Sequence, residues 1–383
     1  MKRILFFVES LGGGGAEKVL VDLVNHMDPA CFHITLVVMT SGGVWDHAAA
    51  NHVDLRFLLR REDFAAGGWR GFGYRLRHQM LRRLPPRLVH FLFFHERNDA
   101  EIAFTEGLAT RLIAAAPRKS RRLAWVHTDF SSNAEGSDGA FRSPKTQRRA
   151  YAKFDRILCV SQRVRDQFIA KLGALPQLTV QYNPVDAAAV RARAEEKTAF
   201  PPGRGMTLLA VGRFSPVKGM DRLLRICARL RDEGLEFRLW LLGDGAQRGA
   251  LEEYIRAASL QDCVALLGFR QNPYPFLRTA DCLVSASRAE GLSTAAAEAL
   301  ILGTPVVCTD CAGMREVLGG MPCGILAQNS EEGLCQALRE LLRQPSRLEG
   351  MRAAALARGA QFSLEERMKE ITAHILGAGE EGQ

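Results

Sequence analysis

The sequence lacks an apolar run long enough to cross a membrane. The nearest candidate in its 383 residues is segment 88–94, which has seven residues and includes His90, whereas a spanning helix needs about 18. The opening, MKRILFFVES, holds five apolar residues before Glu9. That number is too small for a signal peptide and is more typical of a buried first strand. We therefore expect a cytoplasmic protein.

The sequence also lacks a cysteine pattern that could hold a metal. Its nine cysteines are scattered, mostly through apolar segments. Cys308 and Cys311 form a CxxC, and Cys323 follows, but a structural zinc site needs four ligands with paired spacing. Buried, reduced thiols explain these cysteines better, so we expect no metal site.

Acidic residues are absent from segment 69–87, although the whole chain has 42 of them and a net charge of +9. The segment carries six arginines, interleaved with aromatic and aliphatic residues. Such a stretch can lie on an anionic membrane, where each basic residue contributes about 1 kcal/mol. A solvated helix face is a close alternative. No nucleic-acid-binding signature accompanies the segment, so nucleic acid is not an expected partner.

Short apolar runs alternate with segments of helical period along most of the chain. A composition of 47% hydrophobic and 24% charged residues is that of a folded protein, and the length suits two domains. Continuous apolar runs separated by helices indicate parallel sheets. The runs are RILFFVES, HITLVVMT, AEIAFTE, RLAWVHT and RILCVS, then MTLLAVG, FRLWLLGDG, CVALLGF, CLVSAS and TPVVCTD.

This pattern predicts an α/β protein with two doubly wound, Rossmann-like domains in tandem and a cleft between them. We place the boundary after Asn183 and Pro184, because the residue before a proline disfavours helix. The first domain then covers 1–184 and the second 185–361. An amphipathic helix over about 362–378 is expected to pack back on the first domain.

Four glycines, Gly12 to Gly15, follow the first strand and precede a helix. Such a loop lets the backbone approach an anion at the helix N-terminus. A dinucleotide-binding GxGxxG does not fit, because Glu17 and Lys18 occupy the positions of its third glycine. The second strand ends in Thr40 and Ser41 without an acidic residue for a ribose, so a hydride-transfer enzyme is disfavoured.

The second half opens with AVGRFSPVKGMD, in which Arg213 and Lys218 follow a strand. Ligands of α/β sheets bind at the carboxyl ends of the strands. Two cations at such an end suit a diphosphate, because they would stabilise the negative charge that develops on a leaving phosphate.

Two carboxylates, Glu290 and Glu298, flank a predicted helix start in the segment SRAEGLSTAAAEALILGTPVV. Ser293 and Thr294 are good N-terminal residues, so Glu290 lies on the preceding loop and Glu298 about one turn inside the helix. The helix N-terminus can hold phosphate between carboxylates that bind sugar hydroxyls. A glycosidase acid pair is not excluded by these residues alone.

The order GGGGAEK, WVHTD, NPVD, GRFSPVKG, LLGDG and Glu-x7-Glu with GTPVV resembles the family 4 glycosyltransferases of the GT-B fold. The resemblance covers nearly the whole chain. It implies a retaining transfer that needs no metal and no cofactor, from a nucleoside-diphosphate sugar bound in the interdomain cleft.

The resemblance also assigns roles to residues. Arg213 and Lys218 match the diphosphate ligands, Glu290 the carboxylate at the sugar hydroxyls, and Glu298 the ribose ligand. His127, at the end of a first-domain strand, matches the active-site histidine and joins Arg213, Lys218 and Glu290 in the catalytic set. The donor would also contact Gly14, Gly15, Gly243, Phe269, Gly291, Leu292 and Ser293. Glu106 and Asp129 are expected to contact the acceptor.

The expected function is transfer from a UDP-sugar to a saccharide or lipid-linked saccharide in cell-surface polysaccharide or lipopolysaccharide synthesis. Segment 69–87 would then bring the protein to the inner face of the plasma membrane. Two alternatives stay open: a sugar-nucleotide epimerase of the same fold, and a non-catalytic nucleotide-sugar-binding protein. The complete set of charged donor residues argues against the latter.

Overall fold

A computed structural model describes residues 1–66, 68–94, 96–117, 119–130 and 139–377. The chain forms two compact units, Met1–Pro184 with the segment from Glu365 onward, and Val185–Leu364. The strands of the first unit are β1 (Lys2–Val8), β2 (Phe32–Thr40), β3 (Val53–Leu59), β4 (Ala100–Ala103), β5 (Arg121–Val126), β6 (Arg156–Cys159) and β7 (Leu178–Val180). Its helices up to residue 172 are α1 (Gly15–His26), α2 (Arg61–Ala65), α3 (Gly68–Arg83), α4 (Pro86–Phe93), α5 (Leu108–Ile113), α6 (Pro144–Tyr151) and α7 (Gln162–Leu172).

The second unit repeats this alternation of strand and helix. Its strands are β8 (Met206–Val211), β9 (Phe237–Leu242), β10 (Val264–Gly268), β11 (Cys282–Ser285), β12 (Val306–Thr309) and β13 (Gly324–Ala327). Its helices are α8 (Ala187–Arg193), α9 (Met220–Asp232), α10 (Arg248–Ala257), α11 (Tyr274–Thr279), α12 (Thr294–Ile301), α13 (Met314–Leu318), α14 (Glu331–Arg343) and α15 (Arg347–Gly359). A 3₁₀ turn, Pro216–Lys218, lies between β8 and α9.

Both sheets are parallel, and their first six strands have the same order, to which the first sheet adds a seventh strand at one edge. The first sheet runs β3-β2-β1-β4-β5-β6-β7, and the second runs β10-β9-β8-β11-β12-β13. In each sheet the chain adds strands on one side of the first strand and then on the other, so a topological switch point lies beside β1 and β8. The predicted α/β fold with two doubly wound domains is confirmed.

Alternate residues of the second sheet enter two separate apolar cores. Leu208 and Ala210 of β8 pack with α9, α10 and α14. Leu209, between them, packs on the other side with α8, α11 and α12. Because successive side chains of a strand point to opposite faces, the sheet is covered on both faces and its strands are apolar throughout.

The last described helix, α16 (Leu364–Leu376), packs on the first unit. Its Ile371 and Ile375 are buried. Arg121 donates from Nε to the His374 carbonyl at 2.9 Å, and Gln181 donates to Glu370 at 3.1 Å. These contacts hold α16 against residues of β5 and of the segment that follows β7. Over the described residues, no helix combines the length and apolar character that a membrane crossing requires.

Candidate active site

In the second unit, two loops meet beside the switch point, one after β8 and the other after β11. Lys218 lies at the end of the first loop and Glu290 in the second. The Lys218 Nζ is 2.6 Å from the Glu290 Oε1, and Ser287 Oγ donates to the same oxygen at 2.7 Å. The Glu290 side chain is 10% exposed and that of Lys218 is 30% exposed. The structure therefore brings two predicted donor ligands together as a half-buried ion pair.

Two glycines allow this close packing of loops. Gly219 has φ +68°, and a Cβ there would lie 2.0 Å from the Ala286 carbonyl oxygen. Gly243, which follows β9, has φ +147°, and its Cβ would lie 1.9 Å from the Gly212 carbonyl oxygen. No side chain fits at either distance, so backbone contact requires glycine at both positions. Gly243 was expected to contact the donor, which stays a prediction; in the structure its backbone packs against that of Gly212.

The helix start predicted after Glu290 is confirmed. The Ser293 Oγ accepts from the Ala296 N–H at 3.4 Å and caps α12, which Gly291 and Leu292 precede. A Cβ at Gly313 would lie 2.3 Å from the Gly291 carbonyl oxygen. The first N–H groups of such a helix provide an anion-binding position.

Glu298 lies in α12, one turn after the cap, and is only 4% exposed. Its Oε1 accepts a hydrogen bond from the Tyr274 hydroxyl at 3.3 Å. The Arg193 guanidinium lies over the Tyr274 ring, 5.2 Å from its centroid. A carboxylate this buried needs polar partners, and Tyr274 is one that the sequence did not reveal.

Two further predicted donor residues lie at the same edge of the second sheet. Arg213 follows β8 and is exposed. Phe269 follows β10 and is 39% exposed, a large fraction for an aromatic side chain. With Gly243 after β9, the predicted residues occupy the carboxyl ends of neighbouring strands, the edge at which such sheets bind ligands.

In the first unit, Glu106 and His127 follow the neighbouring strands β4 and β5. The Glu106 Oε1 accepts from the backbone N–H groups of His127 at 2.5 Å and Thr128 at 2.7 Å. Burial raises the pKa of Glu106, and these hydrogen bonds partly oppose that rise. Glu106 thus holds the backbone at His127. Its expected contact with the acceptor stays a prediction.

The His127 ring packs among aromatic side chains. It lies 4.8 Å from the Phe104 ring and stacks on Trp125 at 6.2 Å, measured between centroids. Burial lowers the pKa of His127 to about 3, partly opposed by a hydrogen bond to the Phe104 backbone. The buried Nε2 has no hydrogen-bond partner among the residues that the structure describes. The lowered pKa means that the ring is neutral near pH 7.

The other predicted residues of the first unit lie at the same edge of its sheet. Gly14 is the N-cap of α1, with an ordinary extended backbone at φ −86°, and Gly15 is the first helical residue. Asp129, two residues after His127, is buried. Glu9, which the sequence motifs did not single out, follows β1 and accepts from the Leu108 N–H at 3.2 Å.

The candidate residues therefore form two groups, one at the carboxyl edge of each sheet. Within the described ranges, no three His, Cys, Asp or Glu side chains are grouped so that they could hold a metal ion. All nine cysteines are free thiols. Arg222, a buried arginine behind the second group, was missed because two of its partners are backbone carbonyls, which leave no sequence signal.

Two doubly wound domains, each built on a parallel sheet and carrying this arrangement of charged residues, define a glycosyltransferase of the GT-B fold. A sequence model for "Glycosyltransferase Family 4" matches residues 13–189, and one for "Glycosyl transferases group 1" matches residues 205–344. The chain belongs to glycosyltransferase family 4, as the motifs predicted.

Curated relatives include enzymes with different acceptors. The chain is 28% identical to the Campylobacter jejuni N-acetylgalactosamine-N,N'-diacetylbacillosaminyl-diphospho-undecaprenol 4-alpha-N-acetylgalactosaminyltransferase, over 98% of this chain and 100% of that protein. It is 29% identical to the Streptomyces kanamyceticus 2-deoxystreptamine glucosyltransferase, over 52% of this chain and 54% of that protein.

Solved structures share the fold at low identity. Anabaena HepE in complex with UDP-glucose matches with a TM-score of 0.73 and 19% identity, over 98% of this chain and 100% of that chain. A mutant of Staphylococcus aureus TarM, solved with UDP, Fondaparinux and alpha-GlcNAc-glycerol, matches with a TM-score of 0.74 and 12% identity, over 98% and 100% of the two chains.

Proposed function

We propose that this enzyme transfers one sugar, with retention of anomeric configuration, from a UDP-sugar to a lipid-linked saccharide. The observation that carries the proposal is the Lys218–Glu290 ion pair, placed beside the switch point and just before the N-terminus of α12. It sets a cation for a diphosphate next to a carboxylate for sugar hydroxyls. The HepE structure contains UDP-glucose, and this supports a uridine donor.

In this proposal, the positive charge that the leaving diphosphate requires comes from Arg213 and Lys218. Fixed cations at the point where charge develops lower the barrier, because they need no reorganisation during the reaction. Transfer would therefore proceed without a metal ion or other cofactor. Glu290 would bind the sugar hydroxyls and Glu298 the ribose, while Phe269 lies where the base would be read.

The remaining donor contacts would be made largely by backbone. Gly291, Leu292 and Ser293 lead into α12, whose first N–H groups suit a phosphate. Gly14 and Gly15 offer a similar helix start in the first unit. His127 would contact the sugar as a neutral imidazole, since burial keeps the ring uncharged.

We propose that the acceptor is lipid-linked and that its polyisoprenoid chain is embedded in a membrane whose surface is anionic. The C. jejuni relative is named for a diphospho-undecaprenol-linked substrate. On α3, Trp69 is 90% exposed and Phe72 53% exposed, and on α4 Phe91 is 72% exposed. Aromatic side chains exposed among arginines suit the interface of an anionic bilayer. The protein would then lie peripherally on the inner face of the plasma membrane, in a pathway of cell-surface polysaccharide or lipopolysaccharide synthesis.

Contacts within the first unit connect this surface to the proposed acceptor edge. Arg111 of α5 donates to the carbonyls of Arg82 at 2.5 Å and Leu84 at 3.0 Å, at the end of α3. The Arg82 guanidinium is 3.9 Å from the Glu9 carboxylate, which follows β1. A lipid held along α3 would therefore lie near the strand ends that carry Glu106 and Asp129, the proposed acceptor contacts.

The test is a thermal-shift screen of UDP- and GDP-sugars, followed by product analysis with undecaprenyl-diphosphate-linked saccharides. We expect stabilisation by a UDP-sugar, an α-linked product from an α-linked donor, and full activity in EDTA. Stabilisation by GDP-sugars alone would contradict the uridine assignment. Inversion or loss of activity in EDTA would contradict the mechanism. Isomerisation of the donor without acceptor would identify an epimerase, and binding without turnover a binding protein.

A further inference from the structure

A buried arginine lies directly behind the Lys218–Glu290 ion pair. Arg222, in the first turn of α9, is 5% exposed. Its Nε donates to the Ala286 carbonyl at 2.7 Å, and its Nη2 donates to the Ser287 carbonyl at 2.7 Å and to Asn329 Oδ1 at 3.0 Å. One side chain thus binds two successive carbonyls of the loop that follows β11.

Residues from two other strand ends hold the same turn. The Ser287 carbonyl also accepts from Thr309 Oγ1 at 2.6 Å and from Cys311 Sγ at 3.0 Å, both near the end of β12. Asn329, after β13, donates from Nδ2 to the Arg288 carbonyl at 2.9 Å. The carbonyls of three successive residues, 286–288, are therefore all bound, and Arg222 and Asn329 also bind each other.

The turn is connected to both members of the ion pair. Ser287 Oγ donates to the Glu290 carboxylate. The Arg288 N–H donates to the Val217 carbonyl at 2.7 Å, directly before Lys218. A shift of this turn would therefore move the carboxylate and the ammonium together.

Burial is costly for a guanidinium, and it lowers the pKa of Arg222. An apolar side chain at this position would often stabilise a core as well or better. The hydrogen bonds of Arg222 hold a turn that is connected to Glu290 and Lys218. We therefore take the accurate placement of these two side chains as the physical reason for burying a charge here.

We propose that Arg222 is a positioning residue for the Lys218–Glu290 pair, acting through the 286–288 turn, in the transfer proposed above. Its planar guanidinium binds two neighbouring carbonyls at fixed geometry, which a lysine cannot do. Displacement of reacting groups by about 1 Å can cost about 100-fold in rate. Loss of Arg222 should accordingly affect turnover more than nucleotide affinity.

The test compares Arg222→Met with Arg229→Met in the whole enzyme. Arg229 lies on the same helix and pairs with Glu332 of α14, away from the turn. For Arg222→Met we expect kcat to fall at least about tenfold, while the UDP Kd changes less than about threefold. Amide hydrogen exchange in 286–291 should accelerate. Arg222→Lys should recover part of kcat, and Arg229→Met should match wild type in all three measurements.

Asn329→Leu is the second variant, chosen in case Arg222→Met does not fold. It removes the hydrogen bond from Asn329 to the Arg288 carbonyl of the turn. As with Arg222→Met, kcat should fall more than the affinity for UDP. Unchanged exchange in 286–291, wild-type kcat, or equal losses of kcat and UDP affinity would overturn the positioning role. If wild type turns over no nucleotide sugar, the proposed function fails, and the exchange comparison still decides whether Arg222 holds the turn.

Discussion

At the scale of single residues, the ion pair between Lys218 and Glu290 is the central feature of the second unit. An ammonium has three N–H donors, so Lys218 can keep its bond to Glu290 and still donate to a phosphate oxygen. The carboxylate in turn gains a fixed orientation from Ser287. The pair therefore orients both groups before a donor binds, which reduces the entropy that binding must cost.

Replacing either member of this pair should abolish transfer. Lys218→Ala and Glu290→Ala each remove one charge that the proposed mechanism uses, and each leaves the other without its partner. We expect at least a loss of rate of about 100-fold, on the order of that for one transition-state donor, with a wild-type circular dichroism spectrum. Glu252→Ala is the matched control, because Glu252 forms an ion pair with Arg248 on the exposed face of α10. Wild-type turnover in either pair variant would refute the site assignment.

His127 should make the enzyme less stable in acid. Its folded-state pKa of about 3 is below the ordinary value of 6.5, so below pH 6.5 the unfolded chain binds a proton that the folded chain refuses. The free energy of unfolding should therefore decrease as the pH is lowered below 6.5, by up to about 1.4 kcal/mol per pH unit. His127→Asn should reduce the slope of melting temperature against pH between 6.5 and 4.5.

The raised pKa of Glu106 acts in the opposite direction, because the folded state then binds the extra proton. It is present in wild type and in His127→Asn, so the difference between their melting curves isolates the histidine. Identical slopes in the two proteins would show that His127 is not buried in neutral form.

Charge and position after a strand led to the prediction of Arg213 and Lys218 from the sequence, and Glu290 and Glu298 were predicted from their placement at a helix start together with the family resemblance. The supporting residues Arg222 and Tyr274 could not be found in this way. Arg222 lies in a helix among apolar residues of ordinary period, and its partners are carbonyl oxygens, which every residue has. Only the packing of α9 against the loop after β11 brings that arginine within hydrogen-bond distance of the loop carbonyls.

At the scale of elements, the arginine-rich segment is a helix with exposed aromatic side chains. Residues 69, 72 and 76 of α3 have a spacing of three and four, so they lie along one helix face. All three are exposed apolar side chains. The sequence did not decide between a membrane-binding surface and a solvated helix face. The exposure of these apolar side chains favours a membrane-binding surface.

The segment should bind vesicles in a charge-dependent way. Wild type is expected to sediment with vesicles containing anionic lipid at low salt, because each arginine near the surface contributes about 1 kcal/mol. Arg75→Glu with Arg83→Glu should abolish sedimentation, and Trp69→Ser should weaken it. The control, Arg149→Glu with Lys153→Glu, changes the net charge equally but alters exposed residues at α6. Indifference of wild type to lipid, or equal losses in both double variants, would exclude a specific membrane surface.

At the scale of the whole molecule, the last described helix, α16, belongs to the unit that contains β1. Helix α16 follows the second unit in sequence but contacts Arg121 and Gln181 of the first. The stability of the first unit therefore depends on residues that are about 180 positions away from its main segment.

Truncation of a buried side chain on α16 should weaken the first unit alone. Ile371 is fully buried, and Ile371→Ala should cost about 2–5 kcal/mol. We expect faster hydrogen exchange in β5 and β6, and a UDP affinity within about twofold of wild type, because the predicted charged ligands of the nucleotide, Arg213, Lys218 and Glu298, lie in the second unit. Leu376→Ala, 44% exposed on the same helix, is the control. Destabilisation of the second unit instead would contradict the assignment of α16.

The sequence by itself determined the alternation of strands and helices, because apolar periodicity and capping residues act over a few positions. It also determined which charged residues follow strand ends. Only the tertiary structure decided which of these meet: that Lys218 pairs with Glu290, that Glu106 holds His127, and that Arg222 holds the turn behind the ion pair. Such contacts join residues 21 to 72 positions apart, and their geometry depends on strand order and on the close approach of glycine backbones, which no local pattern records.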